Sequence, residues 1–384
     1  MLRKAIAALL ISITPTLWPP RAAAGADTLA RELSAKAVAL VEADTGRVLF
    51  EKNSSERMKI ASTTKILTAL VALESCDPDE AVEIKSEWTG IEGSSIYLKA
   101  GEKLTVRELL YGLMLASGND AAVALACHTA GGIREFAALM NARAAELGCK
   151  DSSFANPSGL DEDGHFSTAR DLAKITAAAM ENEIFAEIVS TKQTNAAGRS
   201  LKNHNRLLLE YPGTLGVKTG YTKSAGRSLV SCAERDGMRF ICVTLSDPDD
   251  WADHTALYDW AFEAYERVTI KRGDEIGALI PVISGVKPSV GLVAGAECSF
   301  IFARGGEYAE SIIAAPFAYA AVVRGGLAGE LVIEGGDEVL ARLSVLYAET
   351  VRKRAEEKLT VWEQLKRAWY LANEYGVYRG MIYY

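Results

Sequence analysis

The chain is poor in the residues that build metal and redox centres. Its 384 residues include only four histidines and six cysteines, with no CxxC pair and no histidine at a metal-ligand spacing from a cysteine. A zinc site is therefore not expected. The cysteines, Cys76, Cys127, Cys149, Cys232, Cys242 and Cys298, lie far apart. A chain of this length needs no disulfide staples, so mostly free thiols are expected, and Cys232 with Cys242 is the first pair to examine for a bridge. Positive charge is not in excess either. Lys and Arg number 42 against 50 Asp and Glu, a net charge of -8, which removes the broad basic surface of a general nucleic-acid binder. Long apolar runs are missing beyond the first residues. No later stretch approaches the roughly 18 to 20 apolar residues of a spanning helix, so the mature protein is expected to be soluble or peripheral.

What is present begins with a leader. Met1-Leu2-Arg3-Lys4, an apolar run from Ala5 to Leu17 broken by Pro15, and Ala22-Ala23-Ala24 have the order of an export signal, expected to be cleaved after about residue 24. Two β-like runs, 37–41 and 48–50, flank Asp44-Thr45-Gly46 as a hairpin. From Ser62 the apolar spacing turns helical through Ile66, Leu70 and Leu73, and further helices are expected at about 105–116, 119–130, 132–147 and 168–181. Strand patterns return at 216–219, 228–231 and 240–245, followed by a helix at about 251–265. This order predicts an α+β layer whose sheet takes its edges from both ends of the segment 25–267. Residues 268–348 read differently: β-like runs at 298–302, 320–323 and 330–333 are separated by Gly-Gly pairs, as in a small all-β domain without visible chemistry.

Three short motifs follow in order: Ser62-Thr63-Thr64-Lys65, Ser117-Gly118-Asn119 and Lys218-Thr219-Gly220. Each alone has an ordinary reading, as a helix N-cap, a turn between helices and a strand end. Together they correspond to the S-x-x-K, S-D-N and K-T-G set of penicillin-binding proteins and class A β-lactamases, with Gly118 in place of the Asp of the second motif. The chemistry is coherent. Positions i and i+3 share a helix face, so Lys65 reaches the Ser62 hydroxyl. Burial and a second cation, Lys218, would lower the lysine pKa until it serves as the base. Ser62 at a helix start also aims its N–H at a developing oxyanion.

The segment from Val41 to Leu70, with Asn156-Pro157-Ser158-Gly159-Leu160-Asp161, Thr168-Ala169-Arg170-Asp171-Leu172 and Gly216 to Thr222, resembles the serine-type D-alanyl-D-alanine carboxypeptidases, the low-molecular-mass penicillin-binding proteins. That resemblance implies the penicillin-binding/β-lactamase-like serine transpeptidase fold. Its substrate would be the D-Ala-D-Ala terminus of peptidoglycan stem peptides, and β-lactam antibiotics would be its inhibitors. It implies Ser62 as nucleophile, Lys65 as base and Ser117 as proton relay, with no metal or organic cofactor. Asn119 would hold the substrate amide, Lys218, Thr219 and Gly220 the carboxylate end, and the Tyr221 N–H would complete the oxyanion site. Ile60 stands where many relatives have Pro, and Tyr221 where some have His. Both bear on substrate preference more than on activity.

A class A β-lactamase would need a Glu-x-x-Leu-Asn element, and Leu-Asn occurs nowhere in the chain. A D,D-endopeptidase would use the same residues, and a non-catalytic envelope protein would keep the fold without the chemistry. The histidines His128, His165, His204 and His254 form no visible triad and read as structural or surface residues. Residues 349–384 carry Val361, Trp362, Leu365, Trp369 and Ala372 at helical spacing. Seven basic residues stand there against five acidic ones. An amphipathic helix anchoring the protein to the outer face of a membrane is expected, as the resemblance also implies.

Overall fold

The computed structural model describes residues 29–336, 338–355, 360–363, 365, 366 and 369. The expected leader, 1–24, and most of the expected anchor lie outside the described residues. The chain divides into two compact units, one running to residue 268 and including 301–307, the other formed by 269–300 and the residues from 308 onward.

The first unit is built on an antiparallel five-stranded sheet. Strands β1 (Ala37–Glu42) and β2 (Val48–Lys52) come from the start of the described chain. Short pairs follow as β3 (Ala81–Glu83) with β4 (Lys103–Thr105) and β5 (Gln193–Ala196) with β6 (Arg199–Lys202). Strands β7 (Thr214–Thr222), β8 (Gly226–Arg235) and β9 (Met238–Leu245) complete the sheet in the order β2-β1-β9-β8-β7. The edges therefore come from both ends of the unit, as the sequence order predicts. β1 is buried on both faces: Ala37, Ala39 and Val41 enter one core and Val38 and Leu40 the other. That is why it reads as an unbroken apolar run rather than an alternation.

The helices are α1 (Lys65–Ser75), α2 (Val106–Leu115), α3 (Asn119–Ala130), α4 (Ile133–Glu146), α5 (Ala169–Met180), α6 (Glu183–Ser190), α7 (Leu207–Glu210) and α8 (Asp250–Ala264). Their starts follow local chemistry. Thr105 and Glu108 form a reciprocal capping box at α2, Thr168 caps α5 and Asn182 caps α6. α1 runs through the larger core, with every residue from Lys65 to Ala72 buried. α8 covers the opposite sheet face through Leu257, Tyr258, Ala261 and Phe262. The helix α6 and the strand pair β5–β6 had no counterpart in the sequence reading.

Register overturns the disulfide candidate. Cys232 lies opposite Ile241, and Cys242 opposite Ser231. Cys232 packs into one core and Cys242 into the other, so the sheet itself separates the thiols. All six cysteines are free.

In the second unit, strands Glu275–Ile283, Ser289–Ala294, Ala309–Ala314, Leu327–Gly335 and Glu338–Tyr347 form a sheet with a two-residue strand, Ala318–Tyr319. Alternate burial of Val290, Leu292 and Ala294 marks a sheet covered on one face. The expected strand over 320–323 is absent. Val322 makes only an isolated bridge to Val351, and Val323 is exposed. Paired backbone bonds of 3.1 Å between Val322 and Val351, with Val286 N to Arg352 O at 3.0 Å and Arg354 N to Ser284 O at 2.8 Å, tie residues 351–354 into this unit. The proposed anchor therefore starts later than residue 349.

Candidate active site

The nucleophile candidate sits on a tight turn. Ala61–Thr64 form one turn of 3-10 helix that runs into α1, so Ser62 precedes the α-helix rather than opening it. The two neighbouring hydroxyls hold this turn: Thr63 Oγ1 donates to Ile60 O at 2.7 Å, and Thr64 Oγ1 to Ala61 O at 2.9 Å. The turn keeps the i, i+3 relation. Lys65 Nζ donates to Ser62 Oγ at 2.9 Å, to Asn119 Oδ1 at 2.8 Å and to the Ser158 carbonyl at 2.5 Å. Three acceptors surround Nζ; once neutral, the amine keeps two donors and turns its lone pair to the Ser62 hydroxyl. Burial drives the Lys65 pKa well below the ordinary lysine value, the Lys218 charge pushes the same way, and Asp120 opposes them.

The Ser158 carbonyl is delivered by a folded loop. Asn156 Oδ1 accepts from Ser158 N at 3.2 Å and Gly159 N at 2.8 Å, closing an Asx-type turn. Gly159 has φ +82, and a Cβ there would stand 1.9 Å from Ala61 O. Only glycine allows this loop to press on the nucleophile's turn.

Ser117 and Gly118 lead into α3, and Asn119 is its first residue. Asn119 is fixed on three sides, through N to Ser94 O at 2.7 Å, Nδ2 to Glu92 O at 2.6 Å and Oδ1 to Lys65. The next residue was missed by the sequence reading. Asp120 is fully buried and accepts from Ser95 Oγ at 2.6 Å, Ile96 N at 3.1 Å and Leu98 N at 3.0 Å. It braces the 94–98 loop against the motif, and its only signal was an acid in the first turn of a helix.

On β7, Lys218 is buried and donates to Thr219 O at 2.8 Å. Burial lowers its pKa to about 7. Gly220 abuts the nucleophile's turn, with a Cβ built there 3.1 Å from both Ile60 O and Ser62 N. A cavity of about 300 Å³ opens over these elements, lined by Ser62, Ser117, Thr219, Gly220 and Tyr221, and also by Ser94 and His204. Lys65, Asn119 and Lys218 are buried, the first two bonded to each other. The fold thus gathers the expected residues in one place.

His204 is exposed, in keeping with the expected surface role, and lines the cavity wall; partial burial and then the Lys218 charge lower its pKa. His165 and His254 fit the expected structural roles: His165 is buried against Thr64 Oγ1 at 2.8 Å, and His254 lies between Ser231 and Thr244.

The D-alanyl-D-alanine carboxypeptidase family model matches residues 23–249. The chain is 35% identical to the D-alanyl-D-alanine carboxypeptidase DacF of Bacillus subtilis, over 92% of this chain and 95% of that protein. Its fold is similar to penicillin binding protein 5 from Haemophilus influenzae, with a TM-score of 0.67 and 27% identity, covering 89% of this chain and all of that one. It is also similar to a peptidoglycan synthesis regulatory factor (PBP3) from Streptococcus pneumoniae, with a TM-score of 0.69 and 27% identity over 83% of this chain and 99% of the other.

Proposed function

This chain belongs to the D-alanyl-D-alanine carboxypeptidase family, and we propose that it works through an acyl-enzyme on Ser62. It is a serine-type carboxypeptidase of the penicillin-binding fold. The observation that carries the residue assignment is the buried Lys65 Nζ lying 2.9 Å from Ser62 Oγ with its pKa driven down.

In this reading neutral Lys65 takes the Ser62 proton as Oγ attacks the carbonyl of the D-Ala-D-Ala bond. The Ser62 and Tyr221 backbone N–H groups hold the oxyanion. Collapse breaks the C–N bond, and the proton passes through Ser117 to the leaving amine. Asn119 holds the substrate amide, while Lys218 and Thr219 receive the terminal carboxylate. Gly220 contributes by its lack of a side chain rather than by contact. Water then hydrolyses the ester and restores Ser62.

β-Lactams enter the same path, because they offer a strained carbonyl and a carboxylate in a similar relation. The leader and the tail together favour an extracytoplasmic location on a membrane surface. No helix among the described residues is long and apolar enough to cross a membrane. Exposed Val361, Trp362, Leu365 and Trp369 favour a surface-lying tail. The deciding experiment measures D-alanine released from a pentapeptide ending in D-Ala-D-Ala, with intact-mass mapping of a penicillin adduct. Release by the wild type and none by Ser62→Ala is expected. An adduct on any other residue would overturn the assignment.

A further inference from the structure

A second cluster of chemically capable side chains lies away from the cavity. Cys76 caps the C-terminal end of α1, His128 lies in the last turn of α3, and Glu80 sits in the turn before β3. Their ligand atoms all fall within 4.8 Å of one another. We propose that Cys76, Glu80 and His128 form a binding site for a thiophilic divalent transition-metal ion of the zinc class, clamping the far ends of the two helices that begin at Lys65 and Asn119.

Geometry, charge and access each support this. His128 Nε2 and Glu80 Oε1 are 3.3 Å apart. That is long for a hydrogen bond, yet close to the spacing of about 3.3 Å between two ligands each about 2.0–2.1 Å from a tetrahedral zinc. One sulfur, one imidazole and one carboxylate make an intermediate donor set that suits zinc over calcium or magnesium. Two helices end here, and helix C-termini carry partial negative charge that favours a cation. The Glu80 turn is pre-formed: its N donates to Asp77 O at 3.0 Å, and its carbonyl accepts from Val106 N at 3.0 Å. The Cys76 thiol lies 3.3 Å from Thr129 Oγ1. Glu80 is about half exposed and His128 about one-fifth, which leaves an entry path and a fourth position for water. Binding exchanges metal-bound waters for three protein ligands and releases the Cys76 thiol proton, so charge and atoms balance. The sequence carries no such signal, because Glu80 and His128 are 48 positions apart.

The test uses the full chain, stripped with chelator and titrated with Zn²⁺ by calorimetry and with Co²⁺ by absorbance. One equivalent per chain, a thiolate-to-cobalt charge-transfer band and a raised melting temperature are expected. Cys76→Ser should abolish the band, and His128→Ala should weaken Zn²⁺ binding by about tenfold or more. Both variants should release D-alanine at the unliganded wild-type rate, because neither touches the cavity. Absence of a one-equivalent transition, or a band and affinity unchanged in both variants, overturns the site. Cys127→Ser is a control: loss of the band there but not in Cys76→Ser would place the metal elsewhere and would also overturn it.

Discussion

A Cβ built on Gly220 would stand 3.1 Å from the backbone nitrogen of Ser62, so the β7 strand end and the nucleophile's turn meet backbone to backbone. The contact is tighter than side chains ordinarily tolerate, and the other close atoms, Ile60 O at 3.1 Å and Thr63 N at 3.2 Å, are also backbone. No flexible side chain can move aside. The glycine of the third motif thus sets the distance between the Ser62 backbone and β7, which carries Lys218, Thr219 and Tyr221.

Gly220→Ala should therefore slow acylation by about 10–100-fold while leaving the protein folded, because a displacement of a few tenths of an ångström disturbs near-attack geometry. Rates of fluorescent penicillin labelling, alongside a thermal melt, measure both. An unchanged labelling rate would show that the turn yields without cost.

The two buried lysines predict a bell-shaped pH profile for kcat/KM. Falling pH protonates Lys65 and removes the base. Rising pH past about 7 neutralises Lys218 in the free enzyme and removes the carboxylate's partner. Lys218→Arg, which stays protonated, should carry the alkaline limb upward. An alkaline limb that stays in place in this variant would assign it to another group. The same burial makes the unfolded chain bind more protons between about 7 and the ordinary 10.5, so the Lys218 contribution to stability rises with pH across that interval.

Much of the fold was legible because local chemistry and tertiary demand agree. α3 was expected at 119–130 and spans Asn119–Ala130. α5, expected at 168–181, spans Ala169–Met180 behind its Thr168 cap. The motif residues also read correctly as neighbours, since Ser62 and Lys65 need only one helical turn to meet. What failed depended on long-range packing. Cys232 and Cys242 look like hairpin partners, but a one-residue offset sends their side chains to opposite faces of the sheet. Ala320–Val323 has strand composition without a ladder to join. His204 read correctly as a surface residue, but its place at the cavity wall comes only from the fold. Asp120 was hidden for the same reason, its partners lying 22 to 25 residues earlier.

Asp120→Ala should destabilise the protein by about 2–4 kcal/mol, since it strands the buried N–H groups of Ile96 and Leu98. Asp120→Asn keeps one acceptor and should fall between. Denaturant melts of the two variants give the order. The loss of the brace should also lower penicillin labelling, through Ser94 and Asn119. Equal stability of all three proteins would mean that water replaces the carboxylate.

The tail offers the last prediction, and its boundary decides how the test is built. Residues 351–354 are bonded to Val322, Val286 and Ser284, so a deletion beginning at 349 would also remove part of the second unit's framework. Truncation after residue 355 spares those bonds. Beyond it, Thr360 and Glu363 form a reciprocal cap: Glu363 Oε2 accepts from Thr360 N at 2.8 Å, and Thr360 Oγ1 accepts from Glu363 N at 3.3 Å. Helical residues follow at 361–363, 365, 366 and 369, and Trp362 and Trp369 are 68% and 71% exposed, a cost in water that an interface removes. The full chain should bind vesicles containing anionic lipid, and should bind them less at high salt. The chain ending at 355 should stay in solution, with an unchanged rate on soluble pentapeptide. Equal vesicle binding by both chains would show that the surface for lipid, if any, lies outside the tail.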